Sequence, residues 1–438
     1  MNLIDPKSIE GSALSFYFAK GKTLEERYRP LHEHILLRKA NQVWQYSEVL
    51  ASRIGAQTRM AGDNGDASRE ITNVAMTDYL GFSQHEQIIG SVSEAIDRWG
   101  VHATATPVVA GMTTLTMDVE AKLCEVLQQE SATLFANGWS ACFGVMAALV
   151  SKDDFVILDS LAHNSLATGA EFATQHVTRF QHNDLIDLED KLKRVRAIDA
   201  EHAIFIVLET WYSVNSDGPD LARVMELSRY YECIVVIDNS HDFGCMGQRG
   251  LGVLEDIDLQ AHENLVIAGS LSKCFAANGG FVASHAVVKE RIRIYSQSYL
   301  FASAISPIQC AILLEALRIA FSQEGALLRS LLKSNYEAAR AEFLRLGFKL
   351  DGQPSAIIPV VIGRDKLARL MGRALRQRGI HSNLAEFPVV PRNRAIFRFI
   401  VNATHSPEFL TDVISQFPPA LQEAQEMLAA IQAQAKDA

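Results

Sequence analysis

Between Ser131 and His285 the chain alternates short, almost wholly apolar runs with longer segments whose apolar positions recur at helical spacing. The runs are Ser131–Ala136, Asp154–Ser160, Ala203–Thr210, Cys233–Ser240, Asn264–Ser270 and Gly280–His285, each of strand length and built largely from aliphatic residues and Phe. Segments such as Leu188–Ile198 and Leu221–Glu232 separate them. A strand that is apolar on both faces must be covered on both faces, and the intervening helices supply the cover. The pattern predicts an α/β domain around a mainly parallel sheet, with ligands at the C-terminal ends of the strands.

The flanks read differently. Thr23–Ile54 is charged and helical in pattern and is followed by the turn-rich Met60–Glu70, so residues 1–70 are expected to form an N-terminal helical arm and linker. Residues 71–320 form the expected large domain. Ile308–Gly347 reads as one long helical region leading into a strand at Ser355–Gly363, a helix at Leu367–Gly379, a strand at Ala395–Ala403 and a terminal helix from Ala420. These predict a smaller C-terminal α/β domain over residues 321–438. A chain of 438 residues with 48% apolar content is long enough for two such cores.

Charge and cysteine usage narrow the class of partner. The net charge of −10 is spread along the chain without a basic run, which argues against a nucleic-acid partner. The six cysteines lie singly in apolar contexts without paired spacing, so they read as reduced thiols rather than metal ligands or disulfides. The first residues lack the layout of a signal peptide, and no apolar run reaches the roughly 18 residues of a membrane span. A cytoplasmic chain with no membrane span and no metal is expected.

Four clusters fall at predicted strand ends. In Phe135–Gly144 a strand stops, Gly138 and Trp139 turn the chain and Ser140 opens a helix, which is either a plain N-cap or a cradle for phosphate. His163 follows the strand ending at Asp159, as a satisfied polar residue or as a site residue. Asp238 ends four apolar residues, with His241 three positions on. A carboxylate there must be paired, by a local cap or by a cationic ring nitrogen, and the strand-end position favours the latter. Lys273 follows its own strand between Ser270, Ser272 and Gly279-Gly280. It is a surface turn lysine or an amine poised for a Schiff base. Together the clusters offer a phosphate cradle, a ring that stacks, a carboxylate for a ring nitrogen and an amine for an aldehyde. Those four needs are those of pyridoxal 5'-phosphate (PLP).

Five segments in order then resemble the α-oxoamine synthase family of PLP enzymes. They are TDYLGFSQH (77–85), AHNSLATGA (162–170), LETWYSVNSDG (208–218), DNSHDFGCMGQRGLG (238–252) and GSLSKCFAANGGF (269–281). The resemblance implies the PLP-dependent transferase fold type I and a homodimer with active sites at the subunit interface. It implies that Lys273 binds the cofactor aldehyde and moves protons at the substrate α-carbon, that His163 stacks on the ring and that Asp238 pairs with its nitrogen. His241 and Ser213 would lie by the ring oxygen, His241 also serving when the acyl carbonyl is attacked. The N–H groups of Gly138 and Trp139, at the turn opened by Ser140, would hold the phosphate with Ser270, and Ser303 would reach the phosphate of the partner. The implied reaction condenses an amino acid with an acyl thioester, on coenzyme A or a carrier protein, with loss of CO2.

The chain also departs from the family pattern. Pro107 and Thr116 stand where the family carries an arginine and a histidine, and Glu386 stands near the arginine that grips the substrate carboxylate. Arg394 or Arg398 is expected to substitute, although Arg398 equally suits a structural ion pair. These departures point to specialised metabolism with an unusual amino or acyl donor. They leave open another carbanion reaction on an amino substrate, by an aminotransferase or a C–C lyase. A non-catalytic subunit is disfavoured because Lys273, His163 and Asp238 are all retained.

Overall fold

The computed structural model describes residues 4–62 and 68–437. One sheet has seven strands: β1 (Ser131–Phe135), β2 (Phe155–Asp159), β3 (Val177–Phe180), β4 (Ile204–Glu209), β5 (Ile234–Asp238), β6 (Leu265–Ser270) and β7 (Gly280–Ser284). Their spatial order is β1-β7-β6-β5-β4-β2-β3. From β3 to β6 the neighbours are parallel, and β7 is antiparallel to both β6 and β1. β1, β4 and β7 are buried at every position, as apolar runs require. β3 reads Val-Thr-Arg-Phe with an exposed middle, which suits an edge strand and explains why no apolar run announces it.

Register brings the chemistry-bearing strand ends together. Glu209 lies opposite Asp238, Asp238 opposite Ala268, Ser270 opposite Gly280 and Gly280 opposite Phe135. The C-terminal ends of four strands and the N-terminal end of β7 therefore share one edge of the sheet. This is the mainly parallel α/β layout that the apolar runs predict.

The chain divides into two compact units. One comprises Asp78–Ser213 and Asp217–Leu332 and contains the seven-stranded sheet. The other joins the described residues up to Thr77 with Val214–Ser216 and those from Lys333 onward. This differs from the three-part division expected at residues 70 and 320. The helical pattern of the first 70 residues holds over Leu24–Ala40, whereas Gln57–Met60 and Arg69–Asn73 are paired strands. Arg69–Asn73 also pairs in parallel with Ile380–His381, and Arg369 donates to the carbonyls of Ile9 and Gly11. Those bonds tie the N-terminal segment to C-terminal sequence, which an arm would not need. A second sheet in this unit orders Lys349–Leu350, Ile357–Gly363, Ala395–Ile400 and Asn383–Ala385, all antiparallel. Its core includes edge-on rings of Phe343, Phe399 and Phe417.

The single helical region expected at Ile308–Gly347 is two helices, Pro307–Ala320 and Gln323–Arg345. The break is at Ser322, whose hydroxyl donates to the Ile319 carbonyl and accepts from the Glu324 N–H. Among the described residues no helix is long and apolar enough to cross a membrane.

Candidate active site

At the shared edge of the sheet, β1 leads into the helix Gly138–Leu149. Asn137 is its cap and accepts from the Ser140 N–H at 2.8 Å, so the helix opens at Gly138 rather than at Ser140. The Ser140 N–H is thereby engaged, leaving the N–H groups of Gly138 and Trp139 as the donors of the first turn. Gly138 packs against the backbone of β6: a Cβ there would lie 2.7 Å from Ser270 Cα and Oγ. Gly280 approaches the same corner, where a Cβ would meet Gly138 Cα at 2.7 Å. Only two glycines allow the helix start and the end of β6 to close up so far. The Ser270 and Ser272 hydroxyls are hydrogen-bonded at 2.8 Å beside that corner. Two hydroxyls and a helix N-terminus form a donor set for an anion. The Trp139 ring, 48% exposed, stacks parallel on Phe143 at 5.2 Å.

Asp238 is buried two strands' width away from β1's neighbour β7. Its Oδ1 accepts from the Ser240 N–H at 2.9 Å and from the Ser240 hydroxyl, and its Oδ2 accepts from the Cys142 thiol at 3.3 Å. The Ser240 hydroxyl in turn accepts from the Ser270 N–H at 2.7 Å, linking the carboxylate to the phosphate-binding corner. Lys273 is half-buried in the loop that follows β6, closed by a bond from the Leu271 N–H to the Gly279 carbonyl. Its ammonium is close enough to act on Glu209 and Cys142. Burial, followed by the charge of Asp238, pushes the Glu209 carboxyl well above the usual carboxylate range.

His163 caps the helix Asn164–Ala173, and its Nδ1 pairs with the Ser165 hydroxyl at 2.7 Å and accepts from the Ser165 N–H. The exposed imidazole is thus held through its Nδ1. His241 is buried, and its Nδ1 shares a hydrogen bond of 2.8 Å with the Tyr79 hydroxyl. The loop after β5 is fixed by Asp242, which accepts from the Thr210 hydroxyl and the Val253 N–H. Burial raises the Asp242 carboxyl to about 7, against the pull of those two donors.

The unit that holds the sheet therefore contains Lys273, His163, Asp238, His241, Gly138, Trp139, Ser140 and Ser270. Ser213 is its last residue before the chain passes to Val214–Ser216 of the other unit. Ser303 is exposed in the stretch between helices Gln297–Leu300 and Pro307–Ala320. Arg394 and Arg398 belong to the other unit. Arg394 is exposed and paired with Asp351 at 3.1 Å, while Arg398 occupies the middle of strand Ala395–Ile400. Glu386 is buried between Arg369 at 2.6 Å and Arg38 at 3.6 Å, so its charge is matched within the fold. Thr116 is also buried, bonded to the Thr113 hydroxyl.

Tyr79, Cys142, Ser165, Glu209 and Ser240 escaped the residue-level reading. Tyr79 lies in a segment that the family resemblance marks, and Ser240 is two residues from Asp238. Ser165 and Glu209 lie in marked segments too, so those four had a signal. Cys142 had none, because a cysteine in an apolar helix reads as core.

The model of the aminotransferase class I and II family matches residues 69–417. The chain belongs to that family. Among characterised relatives, it is 31% identical over 381 residues to 8-amino-7-oxononanoate synthase of Thermoanaerobacter pseudethanolicus, covering 87% of this chain and 93% of that one. It is 29% identical over 384 residues to 4-hydroxy-2,2'-bipyrrole-5-methanol synthase PigH of a Serratia species, covering 88% of this chain and 58% of that one. Serine palmitoyltransferase of Sphingomonas wittichii superposes with a TM-score of 0.84 at 25% identity, over 92% of this chain and 99% of that one. The chain is thus an α-oxoamine synthase-type enzyme of fold type I, dependent on PLP.

The residues present fit that cofactor. The corner closed by Gly138 and Gly280 opens a helix N-terminus beside two serine hydroxyls, a buried carboxylate lies behind it, and one amine follows the same strand.

Proposed function

We propose that this enzyme condenses an amino acid with an acyl thioester, releasing CO2 and a thiol to give an α-amino ketone. The juxtaposition of Asp238, Ser270 and Lys273 with the Gly138 helix start carries the reading, on a chain that an 8-amino-7-oxononanoate synthase matches along most of its length. PLP, when bound, supplies an electron sink for the bond-breaking at the substrate α-carbon. The protein's part is orientation and charge. Gly138, Trp139 and Ser270 would hold the phosphate through N–H and hydroxyl donors. Asp238 would accept from the ring nitrogen and support its protonated form. His163, held by Ser165, would stack on the ring. The Lys273 amine would hold the cofactor aldehyde and serve as the base for the proton at the substrate α-carbon. His241, oriented by Tyr79, and Ser213 serve the ring oxygen, and His241 donates toward the acyl carbonyl oxygen as it gains charge.

Arg398 and Arg394 are carried forward from the sequence as candidates for the substrate carboxylate; Arg394 is exposed and pairs with Asp351. A homodimer with shared sites completes the proposal, with Ser303 contacting the partner's phosphate. Val109, Met117, Trp139 and Phe301 are large apolar side chains exposed on the sheet-bearing unit, and a partner subunit would cover them. The six free thiols, five of them buried, suit a cytoplasmic protein.

The test is to mix the purified PLP-loaded protein with panels of amino acids and acyl-coenzyme A or acyl-carrier thioesters, and to measure free thiol and CO2 together. Stoichiometric release of both is expected. Lys273→Ala should lose the visible cofactor band and the thiol release together. A keto acid formed without thiol would replace the proposal by transamination.

A further inference from the structure

Asp238 offers two unlike oxygens. Oδ1 takes two strong donors, the N–H and hydroxyl of Ser240, while Oδ2 takes one weak donor, the Cys142 thiol at 3.3 Å. Cys142 is 2% exposed and sits in the first turns of the helix that begins at Gly138, so the same helix that presents its N-terminus also presents this thiol. The Ser165 hydroxyl, which holds His163, also reaches the thiol. Cys142 therefore stands between the support of the stacking imidazole and the buried carboxylate.

The chemistry of an S–H donor matters here. A hydrogen bond to a carboxylate stabilises its charged form and lowers its basicity, and the stronger the donor the larger the effect. An O–H or N–H donor at Oδ2 would draw charge from the atom; a thiol draws little. Burial, then the neighbouring Asp238 charge, pushes the Cys142 thiol well up, so it remains a donor across the working pH range. We propose that Cys142 is a positioning residue: its thiol fixes the plane of the Asp238 carboxylate and supports its charged form, which keeps the cofactor ring nitrogen protonated, while as a weak donor it leaves Oδ2 able to accept from that nitrogen. The proposal rests on the PLP reading above. Other groups acting on Asp238 or its surroundings are Glu209 on β4, Asp242 in its own loop and Lys273 after β6. None of them changes when Cys142 alone is replaced.

Two readouts independent of activity test it. The infrared S–H stretch of Cys142, isolated as the difference between wild type and Cys142→Ala, needs no cofactor. It is expected at lowered frequency, and to move up when Asp238→Ala removes the acceptor in both backgrounds. In protein loaded with PLP labelled with 15N at the ring nitrogen, Cys142→Ser supplies a stronger donor. Its ring-nitrogen signal should shift toward the protonated end, and that of Cys142→Ala toward the neutral-pyridine end. An S–H band indifferent to Asp238, or coincident nitrogen signals in the three proteins, would overturn the proposal while the PLP reading stands. Wild type that retains no PLP would overturn both. Should Cys142→Ala fail to fold, Cys142→Ser replaces it as the infrared reference; should both fail, the loss of the lowered S–H band on comparing wild type directly with Asp238→Ala still decides.

Discussion

Lys273, Asp238 and His163 were readable one at a time because each breaks an apolar run or follows one closely. The cost of burying a charge or an amine without a partner makes such interruptions informative. Gly138 was readable as a turn and a phosphate donor, but its close packing against the end of β6 was not. A methyl group there would lie 2.7 Å from Ser270 Cα, backbone that cannot swing away. Gly138→Ala is therefore expected to cost about 1–3 kcal/mol of stability from overpacking and to weaken PLP retention. Thermal unfolding and equilibrium dialysis of PLP check the two effects, and a variant that matches wild type in both would contradict the close-packed corner. The partners of Cys142 and Glu209 were illegible for the opposite reason. Those two residue types fit a core or a strand end equally well, and only the partner across space gives them meaning.

At the scale of elements, the loops that leave the sheet edge must hold still for the site to exist, and three of them are clamped together. His182, in the loop after β3, joins Asp159 at the end of β2 with Asp217 in the turn after β4, at 3.0 and 3.1 Å. Asp159 also accepts from the N–H groups of Leu161 and Asn183, so the clamp anchors the loop that carries His163. Burial works against charge on the imidazole, but hydrogen bonds and charges of the two carboxylates outweigh it and raise His182 to about 9 from 6.5. A raised folded value means the contribution is whole below about 6.5 and fades as pH climbs through about 9. Melting temperature should accordingly fall between those pH values in wild type and fall less in His182→Gln. Parallel curves for the two proteins would rule the clamp out. Strands β1, β2, β4, β5, β6 and β7 were each visible as apolar runs. β3 and the short strands near the N-terminus were not, because edge strands with charged positions lack the apolar signal on which such reading depends.

At the scale of the molecule, the N-terminal segment belongs to the unit built from C-terminal sequence. Its anchor is the buried Arg38–Glu386–Arg369 cluster, whose arginines also bind the carbonyls of Ile9, Glu10 and Gly11. Glu386→Ala leaves two buried guanidinium groups without their counter-charge, an expected loss of about 3–5 kcal/mol. Denaturant unfolding followed by proteolysis of the N-terminal segment measures it, and an unchanged midpoint would show that the cluster holds nothing. The proposed homodimer belongs to this scale as well. Sedimentation should give twice the chain mass of 48.3 kDa, and Val109→Asp with Phe301→Asp should reduce it to one. A wild-type monomer would remove the shared-site proposal.

The sequence alone determined the layered α/β architecture and the cofactor, because apolar periodicity and the cost of buried polar groups are local properties of the chain. It also held the order of five segments that mark the family. Tertiary structure alone decided which residues are neighbours across strands: Glu209 beside Asp238, Cys142 beneath it, Glu386 between two arginines, and the N-terminal segment bound to C-terminal sequence. Those pairings come from register and loop closure between residues far apart in the chain, and no window of sequence contains both partners.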